Sequence, residues 1–533
     1  MSTFDYIIVG GGTAGCILAD RLTASGRFRV LVLEAGGEPN GFWIPIPAGF
    51  SKLLTNKEYN WRFKTQAEEA TLGREISVPR GKGLGGSTLI NGGIYVRGQK
   101  GDYDQWEALG AKGWNFDTLK PYFKKFENYA RGDGNRGHEG PMHIHQVSER
   151  FPVSDAFMQA AHEAGHRFNE DYNGEDQTGF GYYQVIQHQG RRWSVVDGYL
   201  KQARKRGNLK IETNAHVLRI ELEGQQCSGI TYRKNGKEIT VKAARDVILC
   251  AGAIQSPQLL ELSGIGRRDV LSKAGIKVRH ELSGVGENYI DHFATRMNWR
   301  LKDGLVTLNE MAQGWRLGLA VAEYFTKRTG ILTLGTGLVH GFVKTEASMP
   351  TPDVQYFVVH ASYANAAERI LDKHPGLTIG VSQLRPKSKG SIHIQSADPN
   401  QMPAIRPNFL AEEEDRVSLI NGMKTARQIM EQPAIRDLVQ SEVSPGNGTR
   451  NDSQWLDFAR ENGQTIYHPL GTCRMGEDAD AVVDSSLRVR GLKGLRVVDA
   501  SVIPSMVSGN IQGAVMAVAE RAADLILAGA NHS

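Results

Sequence analysis

The sequence predicts an α/β fold built on a parallel sheet, joined to an α+β part with an antiparallel sheet, and three observations lead to it. A β-branched run opens the chain and passes through glycines into a helical pattern. Glycine-rich segments recur near residues 80 and 250, the second of them again directly behind a strand. After residue 150 the strand–helix alternation gives way to scattered strands.

Tyr6-Ile7-Ile8-Val9 reads as a fully buried parallel strand. Gly10-Gly11-Gly12-Thr13-Ala14-Gly15 follows with G-x-G-x-x-G spacing, then Cys16 to Leu22 with apolar residues at helical spacing. A second strand, Arg29 to Leu33, ends in Glu34. Gly10 permits the tight turn, Gly12 lets backbone approach a pyrophosphate, and Gly15 lets the helix pack close to the sheet. The helix N-terminus adds unpaired N–H donors. Glu34 is placed to accept hydrogen bonds from an adenosine ribose. The motif predicts a dinucleotide and does not choose between NAD and FAD.

Residues 80–104 carry Gly81, Gly83, Gly85 and Gly86, then Ser87, Thr88 and Asn91, then Gly92-Gly93. Such a loop offers bare backbone N–H groups to a phosphate or a flavin edge, and it would be costly to order without a ligand. Residues 247–266 run from a buried strand through Ala251-Gly252-Ala253 into a helix expected to be capped around Ser256-Pro257.

Length and composition set the outer bounds. The 533 residues suggest several domains, and 40% hydrophobic with 23% charged residues is the profile of an ordinary soluble globular protein. A net charge of +5 without a basic run argues against nucleic acid. Cys16, Cys227, Cys250 and Cys473 lack C-x-x-C spacing, which fits a reducing compartment. No signal peptide and no membrane span is expected, so the predicted location is cytoplasmic, with peripheral association at the inner membrane face left open. His143 and His145 would face one side of a strand, but a metal site there lacks further ligands, and none is expected.

The two later glycine segments resemble the signature patterns of the glucose–methanol–choline (GMC) family of FAD oxidoreductases. Gly81-Lys82-x-Leu84-Gly85-Gly86-Ser87-Thr88-x-Ile90-Asn91 matches the first, and Gly252-Ala253-x-x-Ser256-Pro257 with Ser263-Gly264-Ile265-Gly266 matches the second. His468-Pro469-Leu470-Gly471-Thr472-Cys473 resembles the family's catalytic segment, and Val497-Val498-Asp499-Ala500 with Gly509-Asn510 its tail. The flanking sequence looks closest to the choline-dehydrogenase-like and alkanol-dehydrogenase-like bacterial branch.

The resemblance implies a discontinuous Rossmann-type FAD-binding domain over residues 1–155, 195–300 and 455–533. The substrate-binding domain would take 156–194 and 301–454. It also implies FAD as cofactor, held without a covalent bond because Ile90 stands where some members carry a linking His. By matching position, Glu34 would hold the adenosine ribose, Val217 would pair its backbone with adenine, Asp499 and Ala500 would meet the ribityl–phosphate portion, and Asn91 would lie beside the isoalloxazine. The full expected set is Gly10, Gly12, Thr13, Ala14, Gly15, Glu34, Ala35, Arg80, Gly83, Gly86, Ser87, Asn91, Gly92, Gly93, Val217, Ala251, Gly252, Tyr467, Asp499, Ala500, Asn510, Ile511 and Gln512.

In the substrate part, Tyr182 to Ile186, Val354 to Val359 and Gly390 to Ile394 read as strands of one antiparallel sheet, with helical spacing over 307–333 and 411–435. The chemistry expected is oxidation of a primary alcohol to an aldehyde by hydride transfer to flavin N5, with His468 as general base. Gln512 occupies the place assigned to the family's second catalytic residue, usually Asn or His, with Gly513 and Ala514 giving its longer side chain room. Electrons would pass to a quinone or another acceptor. An oxidase using O₂, with Gly92 and Gly93 leaving space beside the ring, is the alternative within the class, and a redox-neutral FAD-containing lyase the alternative outside it. Choline would want a carboxylate and an aromatic cage, for which Glu310, Trp315, Glu323 and Tyr324 are candidates; a linear or aromatic primary alcohol is equally compatible.

Overall fold

The computed structural model describes residues 3–132, 134–365 and 370–531. A seven-stranded sheet contains the parallel strands Thr3–Val9, Val30–Leu33, Leu209–Glu212 and Leu495–Val497 together with the three strands of an antiparallel meander. That meander runs through His216–Glu223, Gln226–Lys234 and Lys237–Leu249. Thr3–Val9 is central, pairing with Val30–Leu33 on one side and Lys237–Leu249 on the other, so its four last residues are fully buried and apolar. The helix Thr13–Thr23 packs on this sheet and against the C-terminal helix Gln512–Asn531.

A second seven-stranded sheet is antiparallel and takes strands from distant parts of the chain. Val439–Ser444, Phe293–Leu301, Gly376–Gln383, Val354–Val359, Val339–Val343 and Gly179–Tyr182 lie side by side, with Gln464–Thr465 on Phe293–Leu301. The chain enters this sheet at Gly179 and returns to it at Phe293, ahead of the boundary drawn at 300/301. Two main apolar cores follow the two sheets.

Three local expectations change. The run 182–186 is split between two sheets, because Tyr182 ends Gly179–Tyr182 while Gln184–His188 pairs with Met142–Gln146. Ser391–His393 forms a two-stranded hairpin with Ala404–Arg406 outside the large sheet. The helix expected to start at Ser256-Pro257 starts at Gly252, with Pro257 inside it. Proline there cannot donate to the Ala253 carbonyl, and the Thr472 hydroxyl does so instead at 2.6 Å. The helical stretches resolve into Leu308–Met311, Gly314–Lys327, Glu413–Met430 and Pro433–Arg436.

Candidate active site

Glycine sterics bring the cofactor segments together. A Cβ on Gly15 would sit 1.9 Å from the Gly10 carbonyl oxygen, and one on Gly86, at φ +52°, 2.8 Å from the Gly12 Cα. So the helix, the first turn and the second glycine loop meet at backbone distance. The Glu34 carboxylate ties them: one oxygen accepts from Gly11 N (2.8 Å), the other from Gly36 N (2.8 Å) and Gly83 N (3.1 Å). Asp499 does the same at the other end. One of its oxygens accepts from Gly252 N and the Ser256 hydroxyl, the other from the Ser501 backbone and hydroxyl. It thereby caps the helix that Ser256 was expected to cap.

One long cavity runs between the two sheets. Every residue expected to hold the cofactor lines it, except Gly15 and Gly83, which shape it from behind. The helix Thr13–Thr23 starts on its wall with no side-chain cap on its first N–H groups, a donor set that fits a pyrophosphate. His216 and Val217 line the far end, where Trp61 packs 6.1 Å from the His216 ring. These features fit an extended dinucleotide such as FAD.

His468 lies at the other end, buried, its backbone N–H donating to Asp291 at 2.8 Å. The preceding Tyr467 adopts φ 74°, a left-handed conformation costly for a non-glycine residue. It is held by the Thr465 hydroxyl, which accepts from Tyr467 N, and by Arg80, which donates to the Tyr467 carbonyl. Asp291 also accepts from Tyr289 and Thr465; burial raises its carboxyl to about 6 against those hydrogen bonds.

The direction of hydrogen bonding through this cluster can be read from its ends. His292 Nε2 lies 2.8 Å from the Leu384 carbonyl, which can only accept, so that nitrogen carries hydrogen. Burial lowers His292 to about 4 and leaves it neutral, so its Nδ1 holds a lone pair. That lone pair faces His468 Nδ1 at 3.0 Å, which must donate. Burial, then His292, then Arg80 hold His468 well below the ordinary histidine range, so it too is neutral. Its Nε2 is left as a lone pair, 3.1 Å from Asn510 Nδ2. Asn510 is oriented from behind by Gln355, whose amide donates to Asn510 Oδ1 at 3.3 Å and lies 3.2 Å from the Tyr183 hydroxyl.

The amide beside His468 is thus Asn510. Gln512, expected there, donates instead to the Thr13 hydroxyl at 3.3 Å, two residues further into the C-terminal helix. Gly513 gives it no extra room, since a Cβ there would meet the Val96 carbonyl at 2.4 Å. The space expected at Gly92 is filled, a Cβ there falling 2.1 Å from the Thr336 hydroxyl. Asn91 is gripped by Arg192, whose guanidinium reaches both its backbone and side-chain oxygens; burial lowers this arginine to about 10. Arg192, Asp291, His292 and Gln355 were not expected from sequence. Gln355 lies within the expected strand Val354 to Val359, but neither it nor the Asp291-His292 pair carries a spacing that announces a role.

The face of the antiparallel sheet turned to the cavity presents Ala294, Arg296, Phe357, Val359, Thr378 and Gly380, with Ile466 and Thr336 beside them. The quaternary-ammonium candidates lie elsewhere. Glu310 caps a short helix, Glu323 accepts from Thr329, Trp315 is exposed, and Tyr324 is buried beneath Arg328. His143 stacks on His188 at 3.9 Å, His145 bonds the Gln146 carbonyl, and no metal-binding cluster occurs among the described residues. All four cysteines are free and buried.

Sequence profiles of GMC oxidoreductases match residues 4–294 and 386–519. An oxygen-dependent choline dehydrogenase from Vibrio vulnificus is 40% identical, over 98% of this chain and 94% of that protein. An alcohol dehydrogenase [acceptor] from Pseudomonas putida is 37% identical, over 98% and 96%. Among solved structures, pyridoxine 4-oxidase from Mesorbium loti superposes with a TM-score of 0.89 at 30% identity, covering 98% of each chain. Formate oxidase from Aspergillus oryzae superposes with a TM-score of 0.92 at 30% identity, covering 100% and 99%. With the glycine-built cavity that fits FAD and a match spanning the whole chain, this protein belongs to the GMC oxidoreductase family, the FAD-dependent oxidoreductases.

Proposed function

We propose that this enzyme oxidises an uncharged primary alcohol to the aldehyde, with His468 taking the hydroxyl proton on Nε2. The single observation that carries the reading is the one-way hydrogen-bond chain ending in that lone pair on the cavity wall. Asn510, which donates to that lone pair at 3.1 Å, would yield it to the substrate hydroxyl and donate to the substrate oxygen as its proton leaves. FAD, when bound, supplies the acceptor for the carbinol hydride. Glu34, Asp499, Val217 and the glycine turns would hold it; Asn91, clamped by Arg192, would meet its ring edge.

The cavity's far wall supports the reading of an uncharged substrate. Among the described residues, the carboxylates that line the cavity are Glu34 and Asp499, and both already serve backbone donors in the cofactor cradle. A quaternary ammonium would be desolvated against Ala294, Phe357, Val359 and the cation Arg296 without a carboxylate partner, which is costly. Names of relatives support alcohol oxidation in general, and one of them is named for an unspecified acceptor. A quinone-type acceptor is the reading preferred. The oxidase alternative draws on the named oxidases among the structural neighbours.

Anaerobic mixing of holoenzyme with a panel of primary alcohols tests this. Bleaching of the flavin absorbance is expected with neutral alcohols. Choline should bleach it far more slowly than 3,3-dimethylbutan-1-ol, its uncharged isostere. Re-oxidation faster with a quinone than with air would identify a dehydrogenase. No bleaching with any alcohol would overturn the reading in favour of a redox-neutral enzyme.

A further inference from the structure

The helix Gly314–Lys327 is turned inside out. Over its fourteen residues only Ala320 and Tyr324, one turn apart, are buried against the protein. The opposite face, at 100° per residue, carries Trp315, Gly318, Leu319, Ala322, Phe325 and Thr326, with no charge on it. Trp315 is 72% exposed and Leu319 60%, and Phe325, Leu317 and Val321 are exposed as well. A second segment extends the patch: Phe42 is 62% exposed, stacks on Phe325 at 6.2 Å, and meets the exposed Trp43 edge to face. A surface this apolar, drawn from two separate segments, marks an interaction site and not scattered exposure.

Its charges choose the partner. Arg316 and Lys327 lie on one flank of the helix, and Arg328 follows at its end, over the Tyr324 and Phe325 rings. Glu323 lies on the same flank, half-buried, with one carboxylate oxygen accepting from the Thr329 hydroxyl, so the basic residues there outnumber it. An apolar face of Trp, Leu and Phe edged by Arg and Lys suits a helix lying in the headgroup layer of an anionic bilayer. Long basic side chains there reach headgroups while their stems stay in the apolar zone. At about 21 Å the helix is too short to cross a bilayer, and among the described residues no helix is long and apolar enough to do so.

Both segments of the patch run on along the chain into the cavity wall. The Phe42 segment leads through the turn Pro47–Gly49 to Phe50 and Leu54, and the helix leads through Ile331–Thr333 to Thr336; Phe50, Leu54 and Thr336 all line the cavity. We infer that the Gly314–Lys327 helix and the Phe42-Trp43 segment seat the enzyme on an anionic lipid surface, with the cavity rim facing the bilayer.

The test is flotation of FAD-loaded enzyme with vesicles of phosphatidylcholine alone or mixed with phosphatidylglycerol. Wild-type protein should float with the anionic vesicles and lose at least ~10-fold in partition at high salt or on neutral vesicles, because the charge contribution is screened or absent. A Trp315→Ser, Leu319→Ser, Phe325→Ser variant should lose flotation while keeping its flavin content, its melting temperature and its turnover with a water-soluble dye. A Trp315→Phe variant should float like the wild type. No flotation, equal flotation on neutral vesicles, or unchanged flotation of the triple variant would overturn the inference. So would a wild-type dimer that becomes a monomer in the triple variant without any change in lipid binding, which would make the patch an interface between two copies.

Discussion

The two halves of the molecule are assembled by different means. In the cofactor half, backbone meets backbone: Gly15 on Gly10, Gly86 on Gly12, and three glycine N–H groups on the Glu34 carboxylate. In the substrate half, side chains meet across the fold. His292, Gln355, Leu384, His468 and Asn510 converge from five separated segments. The first arrangement tolerates almost no added atom. The second tolerates changes of shape but not of hydrogen-bond direction.

The comparison breaks most visibly at Gly15. Gly15→Val should yield protein without flavin, seen as loss of the visible absorbance of purified enzyme, because its side chain would enter the Gly10 carbonyl. In the substrate half Gly380→Ala should keep a full complement of flavin, since the added Cβ would meet Phe357 at an ordinary 3.4 Å. It should alter only the size of alcohol accepted. Equal flavin loss in both variants would show the halves to be equally intolerant.

His468→Ala should retain flavin and lower the rate of flavin reduction by roughly 10²–10⁴-fold, the contribution of a general base. His292→Ala should cost about 10²-fold, through a misaligned and mis-tautomerised His468. The pH profile separates alignment from simple damage. His468 acts when neutral and burial holds its pKa well below 6.5. The wild-type rate should therefore stay level from neutral pH to below 6.5 and fall only on further acidification. Because His292 helps depress that value, the acid limb should move upward in His292→Ala. An unmoved limb would leave His292 a packing residue.

The smallest expected effect lies where the hairpin of the substrate half touches the cofactor half. Burial disfavours charging His393, but its hydrogen bonds to Glu261 and Glu287 outweigh this and raise it to about 9. A folded-state pKa above the unfolded one stabilises fully below about 6.5 and is lost as pH rises through about 9. Wild-type melting temperature should therefore decline over that window, and His393→Gln should flatten the decline. A decline of the same size in the variant would place its origin elsewhere.

How much was legible in the sequence follows the same division. The glycine turns, Glu34 and Asp499 were readable because close backbone approach constrains neighbours in sequence. His468 was readable with its surrounding motif. Its partner was placed at Gln512, two residues from Asn510, because the resemblance specified a spacing and not which residue ends the turn before the helix. In the structure Gln512 already belongs to that helix and faces Thr13. His292, Gln355 and Arg192 were unreadable for a different reason. Their roles depend on strand pairing between segments far apart in the chain, such as Phe293–Leu301 beside Gly376–Gln383, and on a carbonyl at Leu384 that has no side-chain signature. The helix Gly314–Lys327 was noted for aromatic content, but its period cannot say which face turns outward.

The central claim is that His468 Nε2 removes a proton from an alcohol whose carbinol hydrogen leaves to the flavin. Anaerobic stopped-flow reduction of the holoenzyme with a neutral primary alcohol, protiated or deuterated at the carbinol carbon, measures this most directly. The account predicts rapid bleaching that slows on deuteration, and near-complete loss of bleaching in His468→Ala with flavin still bound. Bleaching indifferent to both the deuterium and His468, or none at all, would contradict it.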